Sequence, residues 1–194
     1  KYAALFLRFA LNEGKGARKG DVVQLSVPDS AKPILPFLIE ETLKIGAQPK
    51  IHFIPTLMDK VFFEHASQEQ RQFFPEAFKK AEVELIDHTV SIIADADPKE
   101  LATIDPKHLF EAMDARRKTR DWLNQKELEG KFSWTLGLYG TEAMAHEAQM
   151  SLEEYWEQII HACFLDAEDP IAEWKKIQNE QERIKTELNA LSIE

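Results

Sequence analysis

Short β-rich runs alternate with amphipathic helical runs through the first 140 residues, and no other feature constrains the fold as tightly. A strand, a helix and a further strand in succession need a crossover connection, so the strands lie parallel and the helices pack on the sheet. The pattern predicts strands at 21–27, 50–54, 82–86, 90–94 and 131–138. In the last run, Phe132, Trp134, Leu136 and Leu138 share one face.

The residues between these runs supply the breaks. Tyr2, Leu5, Phe6, Phe9 and Ala10 predict a helix over 2–13, and Gly14-Lys15-Gly16 turns the chain after it. Pro28-Asp29-Ser30 ends the first strand, with Ser30 a candidate cap for the next helix and Pro33 and Pro36 fitting only its first turn. Gly46 suits a helix C-terminus. Ser67 and Gln70 have the spacing of a capping box. Asp105 and Pro106 open a long helix expected to reach about residue 128. After Gly140 the pattern is helical, at 142–149, 151–164 and 170–191. The last helix carries Ile171, Trp174, Ile177, Ile184, Leu188 and Leu191 on one stripe. The expected fold is therefore α/β, a mainly parallel Rossmann-like or flavodoxin-like sheet covered by helices on both faces. It occupies residues 1–140, and a helical extension over 141–194 ends in a long helix.

The charge balance removes several functions. Twenty-four Lys and Arg face 34 Asp and Glu, a net charge of −10, which argues against a nucleic-acid backbone or an anionic membrane as partner. The basic run Arg116-Arg117-Lys118-Thr119-Arg120 is a local exception, read as a solvated helix face with a phosphate or substrate-carboxylate contact as the sharper alternative. The single cysteine, Cys163, allows no intrachain disulfide. With no signal peptide and no membrane-length apolar run, it predicts a cytoplasmic protein. Its apolar neighbours Ile159, Ile160 and Phe164 predict a buried, inert thiol. The chain opens on Lys1 inside an amphipathic segment, which suggests a processed or trimmed chain.

The familiar cofactor motifs fail. Gly14-Lys15-Gly16 precedes the first strand instead of following it, and there is neither a phosphate loop nor a nucleophile elbow. Glu142 with His146, and Glu157 with His161, are four residues apart and share a helix face. Two ligands do not make a metal site and neither pair sits in an H-E-x-x-H frame, so surface pairs are expected. His52, His88 and His108 are expected to be hydrogen-bonded or exposed. Asp95-Ala96-Asp97-Pro98 lacks the Gly and Glu of a calcium loop and reads as a turn, and Asp169 before Pro170 reads as a helix cap. Architecture alone directs a ligand to the carboxyl ends of the strands: Pro28, Asp29 and Ser30, then residues 55–58.

Several segments together resemble one known family. They are Gly140-Thr141-Glu142 running on to Met150-Ser151-Leu152-Glu153-Glu154, then Asp169-Pro170 with Trp174, then Leu188-Asn189-Ala190-Leu191. The opening Tyr2-Ala3 helix, Gly20-Asp21-Val22-Val23 and Ile45-Gly46-Ala47 extend the likeness over most of the chain. In order and spacing they resemble the thermophilic aminopeptidase family of metallopeptidases, which includes aminopeptidases T and S. Gly140-Thr141-Glu142 stands where that family more usually has Pro-Thr-Pro. The resemblance implies a metal-dependent aminopeptidase, a homodimer, with a divalent metal pair (zinc, cobalt or manganese) and peptides as substrates. It implies that the metal ligands lie beyond residue 194, in a C-terminal catalytic domain, so that no catalytic, cofactor-binding or metal residue is expected in this chain. Two other readings stand beside it: a stand-alone α/β dimerisation or interaction module without enzymatic activity, and a small-molecule or nucleotide-binding domain. Exposure of Trp174, Ile177, Ile184 and Leu188 would call for a covering partner.

Overall fold

The computed structural model describes residues 1–191. Four strands, β1 (Val22–Pro28), β2 (Gln48–Ile54), β3 (His88–Ile93) and β4 (Ser133–Leu138), form one parallel sheet in the order β2-β1-β3-β4. Leu25 lies between Ile51 and Val90 in register. The chain steps from β1 outward to β2 and then back across β1 to β3, so the direction of winding reverses between β1 and β3.

Helix α1 (Tyr2–Leu5) continues as a π turn, Phe6–Ala10. A 3-10 turn, Asp29–Ile34, leads into α2 (Leu35–Ile45), which joins β1 to β2. Between β2 and β3 come α3 (Met58–His65), α4 (Gln68–Gln72) and α5 (Glu76–Leu85). Between β3 and β4 come α6 (Pro106–Ala115) and α7 (Arg117–Leu128), and α8 (Glu142–Glu147), α9 (Leu152–Ala162) and α10 (Pro170–Ala190) follow the sheet.

Most of the expected punctuation is present. Gly46 ends α2 at φ 83, a left-handed value that favours a residue without Cβ, and its N–H donates to the Leu43 carbonyl at 2.9 Å. Ser67 and Gln70 close a reciprocal capping box on α4, as Ser151 and Glu154 do on α9. Asp105 caps α6 and Asp169 caps α10, each followed by Pro. Three expectations fail. Residues 82–86 are not a strand but the end of α5, which leaves four strands, not five, among the described residues. A strand would put Val83 and Leu85 on one face, whereas here Val83 is buried and Leu85 is 55% exposed, as helical geometry requires. The helix expected over 105–128 breaks at Arg116, letting α6 pack on α4 while α7 packs on α5. Ser30 caps nothing, since its hydroxyl donates to the Ala94 carbonyl and ties the end of β3 to the start of the 3-10 turn.

The two faces of the sheet differ in character. Val23, Leu25, Val27, Val90 and Ile92 pack against Phe6, Leu7, Leu11 and Leu38 from α1, its π turn and α2, forming the main core. The residues between them, Gln24, Ser26, Thr89 and Ser91, face the α3–α7 layer. That layer has a separate apolar cluster, Phe63, Ile104 and Ala112 with Phe62, Leu101 and Leu109, which includes no strand residue. It also holds a buried ion pair, Arg71 Nε to Glu111 Oε2 at 2.8 Å. On the other side, Gly137 of β4 allows close approach of the N-terminal helix: a Cβ there would lie 2.2 Å from Phe6 Cζ. No helix among the described residues is long and apolar enough to cross a membrane.

Candidate functional site

The carboxyl ends of β1, β2 and β3 meet at the reversal of winding, where open α/β sheets leave a crevice. The crevice has a volume of about 160 Å³. Its walls bring together residues the architecture singled out, Pro28, Ser30, Pro55 and Thr56, with Asp59, Asp95 and Glu100. Thr56 Oγ1 reaches Asp29 Oδ2 at 3.5 Å, while Met58 faces a different, larger cleft. Leu57 adopts φ 66 at the N-terminus of α3, a left-handed conformation costing a residue with Cβ about 1–2 kcal/mol. The acidic turn behaves as its sequence indicates: Asp97 Oδ1 accepts from the Lys99 N–H at 2.9 Å. One oxygen of Glu100 is buried with no hydrogen-bond partner among the described residues. Nothing in the crevice forms a nucleophile, base and oxyanion set.

The histidines resolve one by one. His88 is buried at the start of β3, 2.9 Å from both Asp21 Oδ2 and Ser133 Oγ, and so fastens β1, β3 and β4 at their amino ends. His52 Nδ1 lies 3.2 Å from Ser26 Oγ, and its pKa is held below the ordinary imidazole value by burial and by Lys50. The expected surface pairs of Glu142 with His146 and Glu157 with His161 do not form among the described residues. His161 Nδ1 instead meets Asp166 Oδ2 at 2.9 Å, because Asp166 returns past the end of α9. His146 and His161 are both exposed.

A divalent metal pair needs several convergent carboxylate and imidazole ligands. No group of three or more His, Cys, Asp or Glu side chains is placed to hold a metal ion among the described residues. The donor set of residues 1–191 therefore does not fit such a pair, and no catalytic step can be written through it here.

A third feature is an apolar groove of about 600 Å³ between the N-terminal helix, the free edge of β4 and helices α9 and α10. Tyr2 Oη donates to the Leu138 carbonyl at 3.1 Å, and burial together with the nearby Cys163 raises the pKa of its hydroxyl far above normal. Cys163 is half-buried, not wholly so, and burial raises its thiol pKa, which keeps it protonated and a poor nucleophile. Trp174 packs edge-on to Phe164 at 6.0 Å, and its Nε1 is buried without a partner among the described residues. Farther along α10, Ile184 and Leu188 are 43% and 52% exposed, and Leu191 just past its end is 60% exposed. The polar sheet face formed by Gln24, Ser26, Thr89 and Ser91 is not among the sites expected from the sequence. Its signal was present in the strict alternation Val23-Gln24-Leu25-Ser26-Val27 and His88-Thr89-Val90-Ser91-Ile92.

Comparison with known proteins agrees with the resemblance read from the segments. The chain is 22% identical over 199 residues to aminopeptidase 2 of Geobacillus stearothermophilus, a match covering 97% of this chain and 47% of that protein. The chain thus spans about half the length of that curated relative. Its fold resembles wild-type AmpT from Thermus thermophilus with a TM-score of 0.60 at 17% identity, over 73% of this chain and 35% of that one. The family model described as thermophilic metalloprotease (M29) matches residues 1–194 from end to end, and the chain belongs to that family.

Proposed function

We propose that this chain is the N-terminal, non-catalytic region of a metal-dependent aminopeptidase that removes N-terminal amino acids from peptides. Family membership and the name of the Geobacillus relative support the activity. The observation that carries the division of labour is the donor set: no three potential ligands converge among the described residues. In this reading the metals, zinc, cobalt or manganese, are held by a C-terminal catalytic domain, where they would activate water and polarise the peptide carbonyl. The α/β unit over 1–140 supplies the scaffold and the extension over 141–194 leads towards the catalytic domain. The exposed apolar side chains at the far end of α10, Ile184, Leu188 and Leu191, fit a surface covered by that domain or by the second subunit of a homodimer.

Hydrolysis of a leucine chromogenic amide by the complete protein, with each metal and with a chelator, tests the reading. Metal-dependent turnover by the complete protein and none by residues 1–194 is expected. Equal turnover by residues 1–194 would contradict it. Glu142, His146, Glu157 and His161 would then be the first residues to substitute.

A further inference from the structure

A parallel sheet covered on both faces ordinarily presents apolar residues to both helical layers. Here the two central strands do not do so on one face, although Ile54 of β2 and Trp134 of β4 border it. Gln24 and Ser26 of β1 and Thr89 and Ser91 of β3 point into a cleft of about 870 Å³ beneath the α3–α7 layer, within the range of small-molecule sites. The opposing helix is equally unusual. Arg116, at the N-terminal cap of α7, and then Thr119, Arg120, Leu123, Asn124 and Glu127 recur at helical spacing along the face that lines the cleft. Only one of these six is apolar, so this face cannot dock on the sheet as a core helix would. Sheet and helix thus depart from core patterning at the same place. Such departures concentrate at functional sites.

The free hydrogen-bonding capacity is specific. Among the described residues, the side chains of Thr89, Ser91, Thr119 and Asn124 make no protein hydrogen bond, whereas Ser26 is buried and held by His52 at 3.2 Å. Arg116 and Arg120 make no ion pair among the described residues. Lys79 is paired with Glu82 at 2.8 Å, and the cleft carboxylate Glu127 accepts from Trp134 Nε1 at 3.1 Å. Asp59 is the only other acid in the lining, so lysine and arginine outnumber carboxylates three to two. Two free guanidinium groups beside the unpaired hydroxyls of Thr89 and Ser91, with apolar walls that include Ile54, Phe74 and Trp134, match an oxyanion carried on a small organic body, since guanidinium forks pair with carboxylate and phosphate in two-pronged geometry. We propose that this cleft binds a small organic anion, its carboxylate or phosphate held by Arg116 and Arg120 and its polar body hydrogen-bonded by Thr89 and Ser91.

Isothermal titration of the protein with succinate and, separately, with inorganic phosphate tests this. Measurable binding of either anion at about 10 mM, weakened at least tenfold in R116A/R120A and unchanged in R117A, is expected, because Arg117 does not line the cleft. The tighter of the two probes identifies the anion class. Both arginines are exposed, so the double variant should keep the wild-type melting temperature, which thermal denaturation checks. A second variant, S91V, removes a floor hydroxyl without touching charge and should weaken the same anion. The proposal is overturned if neither anion binds, if R116A/R120A binds as tightly as the wild type, or if R117A loses as much affinity as the double variant.

Discussion

Replacing Gly137 by alanine tests the packing that holds the N-terminal helix to the sheet. A Cβ at this position would lie 2.2 Å from Phe6 Cζ, 2.6 Å from Phe6 Cε1 and 2.8 Å from Tyr2 Oη. Neither ring can withdraw freely. Phe6 is 4% exposed, its ring centroid is 4.4 Å from that of Tyr2, and Tyr2 is tied to the Leu138 carbonyl. Over-packing of this kind costs ~1–3 kcal/mol, and with ring atoms of two anchored side chains in the way the upper end is expected. For a chain of this size each kcal/mol lowers the melting temperature by about 2–4 °C, so G137A should melt roughly 6–12 °C below wild type. Thermal and urea unfolding followed by circular dichroism measure it. F6L removes the clashing ring atoms and should alone cost about 1 kcal/mol. In a double-mutant cycle, G137A/F6L should then be less destabilised than the sum of the singles by about 1 kcal/mol or more. If G137A loses less than about 0.5 kcal/mol, or if the two changes simply add, the contact is not the constraint argued here.

Other predictions rest on the helical layer over the polar face. Arg71 and Glu111 form an ion pair whose side chains are 8% and 10% exposed. Removing one partner in E111A strands a buried charge and should cost about 3–5 kcal/mol in urea unfolding, and a loss below about 1 kcal/mol would contradict this. Burial acts to raise the carboxyl pKa of Glu82, but the hydrogen bonds and positive charges of Lys50 and Lys79 together outweigh it and lower the pKa. Because the folded-state pKa is depressed, the stabilisation is present above the unfolded value of about 4.3 and lost as pH falls through the folded pKa. E82Q should therefore flatten the acid limb of the stability profile in that window, and an unchanged limb would refute the assignment. His52 is also depressed, by burial first and Lys50 second, so the unfolded chain takes up a proton more readily. Its contribution declines as pH falls below about 6.5, and H52Q should remove that decline in a pH series of melting temperatures.

Where sequence and structure agree, the information was local. The caps at Ser67, Asp105 and Asp169 form hydrogen bonds to residues two or three positions ahead, and the left-handed Gly46 needs only its own missing Cβ. The strand at 82–86 was misread because five residues cannot distinguish alternation from one turn of helix. Only the burial of Val83 against the exposure of Leu85 separates the two. The break at Arg116 had no local signal, since neither proline nor glycine stands there. It follows from α6 and α7 packing on different helices. The polar cleft was readable one strand at a time in the alternation of β1 and β3. Its meaning required knowing that both strands are central and parallel, and that α7 turns a polar face towards them. The carboxyl-end crevice followed from architecture alone, whereas the pairing of His161 with Asp166 in place of Glu157 depended on the turn after α9.

The proposed function places the metal ligands outside residues 1–194. Its most direct test is the metal content of that chain after equilibration with zinc, cobalt and manganese and removal of free ion, read by inductively coupled plasma mass spectrometry. No stoichiometric retention of any of the three is expected. Chelator-sensitive retention of a stoichiometric metal ion, lost on substituting a histidine or carboxylate of this chain, would contradict it.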